Sequence, residues 1–252
     1  MPRRGGLKRI CPPLLLTLAL LLLWEGLVRW REIPNWLMPP PSQVLVSLAE
    51  SRGLLLWHGS YTALETLLGF GAAIALALLL AIPLDRVKWL KRAVYPLLVL
   101  SQTIPLMVLA VVFVICFGFG MLPKVLIVIL VCFFPMLISL LNGLNACDPD
   151  LIALFRSMNA TEGKLYRMVK LPAALPSFFA GARIAAAYSV MAAILGEWLG
   201  ATRGLGYFIT LSQKSYQMDQ LLAAVLLVCL FSFLLVKAVD AAEYAALPWR
   251  RG

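Results

Sequence analysis

Long apolar runs are the feature that most limits what this chain can fold into. A membrane-spanning helix needs about 20 mostly apolar residues, because the hydrocarbon core of a bilayer is about 30 Å thick and a helix rises about 1.5 Å per residue. Runs of this kind lie near residues 10–28, 61–84, 94–117, 121–143, 174–196 and 219–240. The sequence therefore predicts an all-α membrane protein with about six transmembrane helices, forming a single domain over residues 1–252.

Composition agrees with a membrane protein. Of the 252 residues, 62% are hydrophobic and 13% are charged, whereas soluble domains are about 45–50% apolar. The first run follows a basic start, as a secretory signal would, but it has the length of a span and LWEGLVRW offers no small-x-small cleavage site. We therefore predict a retained first helix. The third and fourth runs are separated by GFGML, which we interpret as a glycine-rich reversal between antiparallel helices.

Lysine and arginine are unevenly distributed among the segments that connect the runs. One set of segments contains Arg3, Arg4, Lys8, Arg9, Arg86, Lys88, Lys91, Arg92, Arg156, Lys164, Arg167, Lys170, Lys237, Arg250 and Arg251. The opposite set contains Arg29, Arg31, Arg52, Lys124, Arg203 and Lys214. Because cytoplasmic segments of membrane proteins are rich in these residues, we expect both termini in the cytoplasm. The net charge of +10 then indicates contact with anionic membrane lipid rather than with nucleic acid.

The residues that would carry catalysis or metal binding form no recognisable pattern. His58 is the single histidine, the five cysteines form no CxxC pair, and no GxxxxGK[ST] phosphate loop is present. We therefore predict no catalytic residue, no metal site and no cofactor in this chain, and we interpret His58 as an interfacial or solvated residue. An ion-coupled secondary transporter or channel remains the alternative function, although neither an inverted repeat nor an intramembrane pair of charges supports it.

The segment at about 148–172 is polar and basic, and it is longer than a turn between two spans requires. Asp148 suits the N-cap of a helix and Pro149 suits its first position. Four apolar residues then recur at helical spacing, which predicts a short amphipathic helix with these residues along one side. They are Leu151, Ile152, Phe155 and Met158.

A turn and a second short helix follow in the same segment. Asn159 tolerates the left-handed backbone conformation that a tight turn between helices needs. The stretch EGKLYRMVK is predicted to form a helix with Leu165, Tyr166 and Val169 on one side, and Pro172 is expected to end it. This helix-turn-helix would either dock on a partner in the cytoplasm or lie on the lipid surface.

The same segment resembles the cytoplasmic EAA loop in the permease subunits of binding-protein-dependent ABC importers. Residues Val169 to Pro172 match the end of the family pattern, and Asn159 stands where the family has glycine. The Glu-Ala-Ala part is replaced by residues 153–155, Ala-Leu-Phe, without its glutamate. Four other stretches resemble the family in the same order: IPNWLMPPPSQVLVSL, SQTIPLMVLAVVFVICFGFGMLPKV, FFAGARIAAAYSVMAAILGEWLG and GLGYFI.

This resemblance implies the fold, the partners and the coupling residues. It implies a type I ABC importer permease fold in the bacterial cytoplasmic membrane, a second permease copy in a homodimer, two copies of an ATPase subunit that binds ATP and Mg, and an extracytoplasmic substrate-binding protein. The chain itself would have no ATPase site. The residues that would contact the ATPase are Met158, Asn159, Ala160, Thr161, Glu162, Gly163, Leu165 and Tyr166.

The resemblance also indicates a class of substrates. The stretches CFFPMLISLLNGL, GEWLGATRGLGYFI and SYQMDQLLAAVLLV are most similar to permeases for the pyrimidine precursor of thiamine or for riboflavin-like compounds, within the branch of the sulfonate, taurine and nitrate permeases. We expect one of these small solutes to be imported by alternating access.

Polar residues in or near the spans are candidates for the substrate pathway: Gln102, Thr103, Tyr188 and Glu197. Gln102 and Thr103 precede Pro105, which is expected to kink the third span, and they would either line the pathway or form hydrogen bonds between helices. Glu197 would either lie in the pathway, as buried carboxylates in membranes commonly do, or lie in water beyond the end of the fifth span. Glu65 is ambiguous in the same way.

Overall fold

The computed structural model describes residues 6–250, and every regular element in that range is helical. The elements in chain order are α1 (Gly6–Trp30), α2 (Pro41–Glu50), α3 (Arg52–Arg86), α4 (Lys88–Ser101), α5 (Leu106–Phe117), α6 (Met121–Asn145), α7 (Pro149–Ser157), α8 (Glu162–Leu165), a π-helical segment (Tyr166–Lys170), α9 (Leu171–Trp198), α10 (Leu205–Lys214), α11 (Met218–Ala246) and a 3-10 turn (Pro248–Arg250).

Several of these helices have the length and apolarity of membrane spans. Within the described residues, four qualify: α3, α6, the helix that runs through Glu162–Trp198, and α11. The pair α4 and α5 would make a fifth span, but their axes are bent by 99°. The bend lies where the sequence analysis expects a kink, because Pro105 cannot donate a hydrogen bond and its ring clashes with the carbonyl of Ser101. The predicted first span falls within α1.

The chain forms two compact units. One contains the described residues up to His58 together with Phe208–Leu227. In this unit the His58 side chain is 4% exposed, and its ring centroid lies 4.7 Å from that of Trp57 and 5.4 Å from that of Phe208. The interpretation of His58 as interfacial or solvated was therefore wrong. It failed because α10, distant in sequence, supplies the ring that covers it.

The other unit contains Gly59–Tyr207 and the described residues from Val228 onward. Its core is built mainly by α6 against α9, where small residues such as Ala182 and Ala185 are fully buried. A Cβ on Gly181 would collide with the backbone oxygen of Pro135, and one on Gly143 would lie 2.9 Å from the Cα of Ala174. Glycine at these positions lets two backbones approach closely, which is how membrane helices gain packing energy without a hydrophobic driving force.

Candidate coupling loop and buried carboxylate cluster

Helix α7 begins as the sequence predicts. The Asp148 carboxylate caps it by accepting a hydrogen bond from Asp150 N at 2.9 Å. Ile152 and Phe155 pack on a small buried cluster of Cys147, Leu165 and Val169. The predicted single apolar side was wrong in part, because other apolar residues of the helix face away from this cluster. Leu151, Leu154 and Met158 are 46%, 53% and 70% exposed.

The turn after α7 confirms the conformation predicted for Asn159. Its φ is 54°, in the left-handed region. The turn is closed by a hydrogen bond from Ala160 N to Phe155 O at 3.0 Å. Thr161 then caps α8 by accepting a hydrogen bond from Lys164 N at 3.5 Å. These bonds fix the chain reversal between the two short helices.

The prediction that Pro172 ends the second short helix was wrong. The chain stays helical from Glu162 through the π segment into α9, and Pro172 lies in the first turn of α9. The Leu171 N–H donates to Tyr166 O, five residues earlier, which is the wide π-type bond. This wider turn directly precedes Pro172, whose ring would strain a regular α-helical turn. The 148–172 segment is therefore joined to α9 without a flexible break.

Burial divides the residues expected to contact the ATPase into two groups. Leu165 is 1% exposed and Tyr166 is 5% exposed, so both face this chain. The residues that remain on the surface are Met158, Asn159, Ala160, Thr161, Glu162 and Gly163, of which Ala160 is half-buried. An exposed ion pair between Arg156 and Glu162, at 3.3 Å, borders this surface. We call residues 158–163 the exposed rim.

Glu197 belongs to a buried cluster at the opposite end of α9. It is 1% exposed and accepts a hydrogen bond from Thr62 Oγ1 at 2.6 Å and another from Gly206 N. Thr62 Oγ1 in turn accepts one from Leu205 N at 2.8 Å, so Thr62 and Glu197 together cap the start of α10. Of the two interpretations of Glu197, the one that leaves it in water was wrong, because Thr62 and Gly206, both distant in sequence or beyond the end of α9, enclose its carboxyl group.

Glu65 and Lys124 lie beside Glu197. Lys124 Nζ donates to Glu65 Oε1 at 2.7 Å, and their side chains are 12% and 3% exposed. We call Thr62, Glu65, Lys124, Glu197 and Gly206 the Glu197 cluster. The sequence analysis counted Lys124 among the basic residues of the opposite set of segments and gave it no partner. Its pairing with Glu65 was missed because the two residues lie on different helices and no spacing links them. The available signal was the presence of a lysine in the first turn of one predicted span and of a glutamate inside another.

The remaining pathway residues lie apart from the Glu197 cluster. Gln102 and Thr103 occupy the break between α4 and α5 and are exposed. Thr103 Oγ1 donates to Leu100 O at 2.7 Å, a carbonyl that also accepts from the Thr103 N–H at 3.0 Å. Tyr188, on α9, is 52% exposed. Three of the four predicted pathway residues therefore lie on the surface of this chain, whereas the fourth, Glu197, is buried.

Comparison with known proteins identifies the family. Residues 73–251 match the family described as "Binding-protein-dependent transport system inner membrane component". The chain is 35% identical over 240 residues to the formylaminopyrimidine transport permease protein ThiX of Halalkalibacterium halodurans, covering 95% of this chain and 96% of that protein. It is 31% identical over 254 residues to the riboflavin transport system permease protein RibX of Chloroflexus aurantiacus, with coverages of 98% and 95%.

A solved structure agrees with the fold. The MetNI methionine ABC transporter in an inward-facing conformation matches 72% of this chain and 92% of the compared chain, with a TM-score of 0.61 and 22% identity. At that identity the likeness shows the fold, which is that of a type I ABC importer permease.

The fold and the matched region define a membrane permease subunit, a class that has no ATPase site of its own. The chain belongs to the binding-protein-dependent transport system inner membrane components, and it is a multi-pass inner-membrane permease of an ABC importer for small solutes. Its branch contains the formylaminopyrimidine, riboflavin, taurine and aliphatic sulfonate permeases. The resemblance described in the sequence analysis is confirmed.

Proposed function

We propose that this permease imports the pyrimidine precursor of thiamine or a riboflavin-like compound by ATP-driven alternating access. A binding protein delivers the solute, and two partner ATPase subunits, which bind ATP and Mg, supply the energy. The substrate class is supported by relatives named for formylaminopyrimidine and riboflavin that align along nearly the whole chain. A taurine permease of Escherichia coli at 27% identity keeps taurine, sulfonates and nitrate as further substrates to test.

The 148–172 segment is the observation that carries the coupling role. Its turn is fixed by Asn159 and Thr161. Its exposed rim lies at the N-terminal end of a helix that begins at Glu162 and continues without a break into α9. A partner that pushes on the rim therefore moves α9 without first bending a flexible hinge. This is the property required of a loop that transmits ATPase movement into a membrane helix.

The break between α4 and α5 supports a second permease copy and a pathway between the copies. Non-helical backbone at membrane depth is stable only where protein buries it or where it lines a water-filled cavity. Residues 102–105 are exposed in the single chain. We propose that the break faces the second copy in a homodimer and that Gln102, Thr103 and Tyr188 line the pathway there.

The lipid-surface alternative is supported by the exposed apolar side chains of Leu151, Leu154 and Met158 beside basic residues. An amphipathic basic helix binds anionic membranes by such a face. Docking and lipid binding differ in one property: a docked rim becomes inaccessible when the ATPase is present, whereas a lipid-bound rim is inaccessible in vesicles without it.

The substrate is tested on the complete transporter. The permease is reconstituted in proteoliposomes with its partner ATPase and binding protein, and ATP-dependent uptake is measured for thiamine pyrimidine precursor, riboflavin, taurine, a sulfonate and nitrate. We expect uptake of one of the first two. Thermal stabilisation of the binding protein by the same compounds provides an independent measurement. Uptake that needs an ion gradient instead of ATP would favour the secondary transporter.

Single-cysteine labelling tests the proposed orientation, with both termini in the cytoplasm. In a background without the native cysteines, Lys164→Cys is expected to react with a membrane-impermeant maleimide only from the cytoplasmic side, and Thr202→Cys only from outside. Both positions are exposed, so burial does not limit the reaction. The basis is the concentration of lysine and arginine in cytoplasmic segments. Labelling of position 164 from outside would contradict the orientation and the docking role together.

A further inference from the structure

Asp85 joins the last turn of α3 to the 148–172 segment. Its side chain is 5% exposed, and its Oδ2 accepts hydrogen bonds from Tyr166 Oη and from Lys170 Nζ, the latter at 2.8 Å. The Arg86 guanidinium lies 4.6 Å from the centroid of the Tyr166 ring. The Lys170 ammonium lies 4.7 Å from the same centroid. One buried carboxylate and two cations therefore surround Tyr166, which the sequence analysis had assigned to the ATPase contact.

The spacing of Tyr166 and Lys170 explains why two donors reach one oxygen, because residues four apart lie on the same face of a helix. Tyr166 and Lys170 are the first and last residues of the π-helical segment, and the side chains of both end at Asp85 Oδ2. π-type turns of this kind occur frequently at functional sites, because they cost stability and persist where they position side chains. Here the π segment lies at the junction between the segment that carries the exposed rim and a membrane helix.

The two membrane helices next to this junction are connected to it differently. α9 continues from the π segment through the backbone. α3 has no such covalent connection, since Asp85 and Tyr166 are 81 residues apart in sequence. Asp85 supplies the connection through side chains, and its charge balances Lys170, whose side chain is 17% exposed. Removing one partner of a largely buried ion pair leaves the other charge uncompensated. Neutralising Asp85 would therefore break its contact with Lys170 rather than weaken it.

The other part of α3 reaches the Glu197 cluster. Thr62 and Glu65, both on α3, contact Glu197 on α9 and Lys124 on α6. The stretch of α3 from Thr62 to Asp85 is about 35 Å long at about 1.5 Å per residue, which is comparable with a hydrocarbon core of about 30 Å. α3 thus connects the 148–172 segment to a buried cluster that lies about one bilayer thickness away along the helix.

We propose that Asp85 is the positioning residue through which α3 follows the movement of the 148–172 segment during ATP hydrolysis, and that α3 carries this movement to the Glu197 cluster. This inference rests on the proposed function. It adds a second route of transmission to the backbone route through α9, and it assigns to Asp85 a role in coupling without any contact with the ATPase.

Asp85→Asn tests this role in the complex of permease, ATPase and binding protein. The variant keeps the shape of the side chain and removes the charge that holds Lys170. We expect the complex to assemble and to hydrolyse ATP at the parent's unstimulated rate. Stimulation of hydrolysis by the loaded binding protein, and uptake, should fall about 5-fold or more, the scale of an ordinary coupling between sites.

Two further variants make the test decisive. Tyr166→Phe keeps the ring and removes one donor to Asp85, so stimulation should fall by a smaller factor. Asp240→Asn is the control, because Asp240 is another ion-paired aspartate, half-buried and 3.6 Å from Arg183, and it has no contact with the 148–172 segment among those described. It should retain full stimulation.

The outcomes separate this inference from the proposed function. Normal stimulation and uptake in Asp85→Asn overturn the role of Asp85. If Asp85→Asn does not assemble, Tyr166→Phe decides: reduced stimulation supports the role and unchanged stimulation overturns it. If the parent protein itself binds no ATPase or is not stimulated by a loaded binding protein, the proposed function is what fails.

Discussion

Asn159→Val is expected to abolish substrate-stimulated ATP hydrolysis and to weaken co-purification of the ATPase, with the permease still inserted in the membrane. Asn159 has a φ of 54°, which a β-branched residue adopts only with strain of about 1–3 kcal/mol. Relieving that strain requires the turn to open, and Met158, Ala160 and Thr161 would then no longer form one surface. Hydrolysis by the purified complex, with and without loaded binding protein, measures the effect.

Two controls isolate the backbone conformation as the cause. Asn159→Gly should behave like the parent, because glycine adopts positive φ without strain. Ser157→Val places the same β-branched side chain at an exposed helical position two residues earlier, where its cost is a few tenths of a kcal/mol. If the Val and Gly variants at position 159 retain the same ATPase binding and uptake, the segment is not the coupling element, and the lipid-surface alternative becomes the better account.

Gly204→Ala is expected to destabilise the protein by about 2–5 kcal/mol, because it would break two buried hydrogen bonds at about 1–3 kcal/mol each. Gly204 has a φ of 108°, and an added Cβ would lie on the Glu197 carboxylate. The carboxylate would have to leave the Thr62 hydroxyl and the Gly206 N–H, so the start of α10 would lose both caps. Thermal unfolding of the detergent-purified permease measures the loss, and uptake should fall with it.

The matched control is Gly71→Ala, within α3, where an added Cβ meets nothing within 4 Å. It should be neutral or slightly stabilising, because alanine is the better helix former by about 1 kcal/mol. Glu197→Gln should have an intermediate effect: the amide keeps the shape, but it has one oxygen and so cannot accept both hydrogen bonds. We expect lower uptake with the ATPase still bound. A Gly204→Ala protein as stable as the parent would contradict the Glu197 cluster as described.

The sequence by itself determined the features that depend on local chemistry. Apolar runs of span length predict α3, α6, α9 and α11 because the bilayer sets the required length. The Asp148 cap, the bend before Pro105 and the positive φ of Asn159 follow from the preferences of single residues, and each is found in the structure. The family resemblance rested on these same residues and on short motifs.

Contacts between distant segments were decided only by the tertiary structure. Glu65, Lys124 and Glu197 each looked like an isolated charge near the end of a span, and no spacing connects three different helices. In the sequence, Asp85 is a single acidic residue beside a basic segment. Only the fold brings Tyr166 and Lys170 into contact with it. A hydrogen bond or ion pair in a low-dielectric interior depends on angstrom-scale geometry, which local periodicity does not encode. The lengths of the helices and the turns between them could therefore be predicted from the sequence. The partners of the buried charged residues depend on how those helices pack against one another.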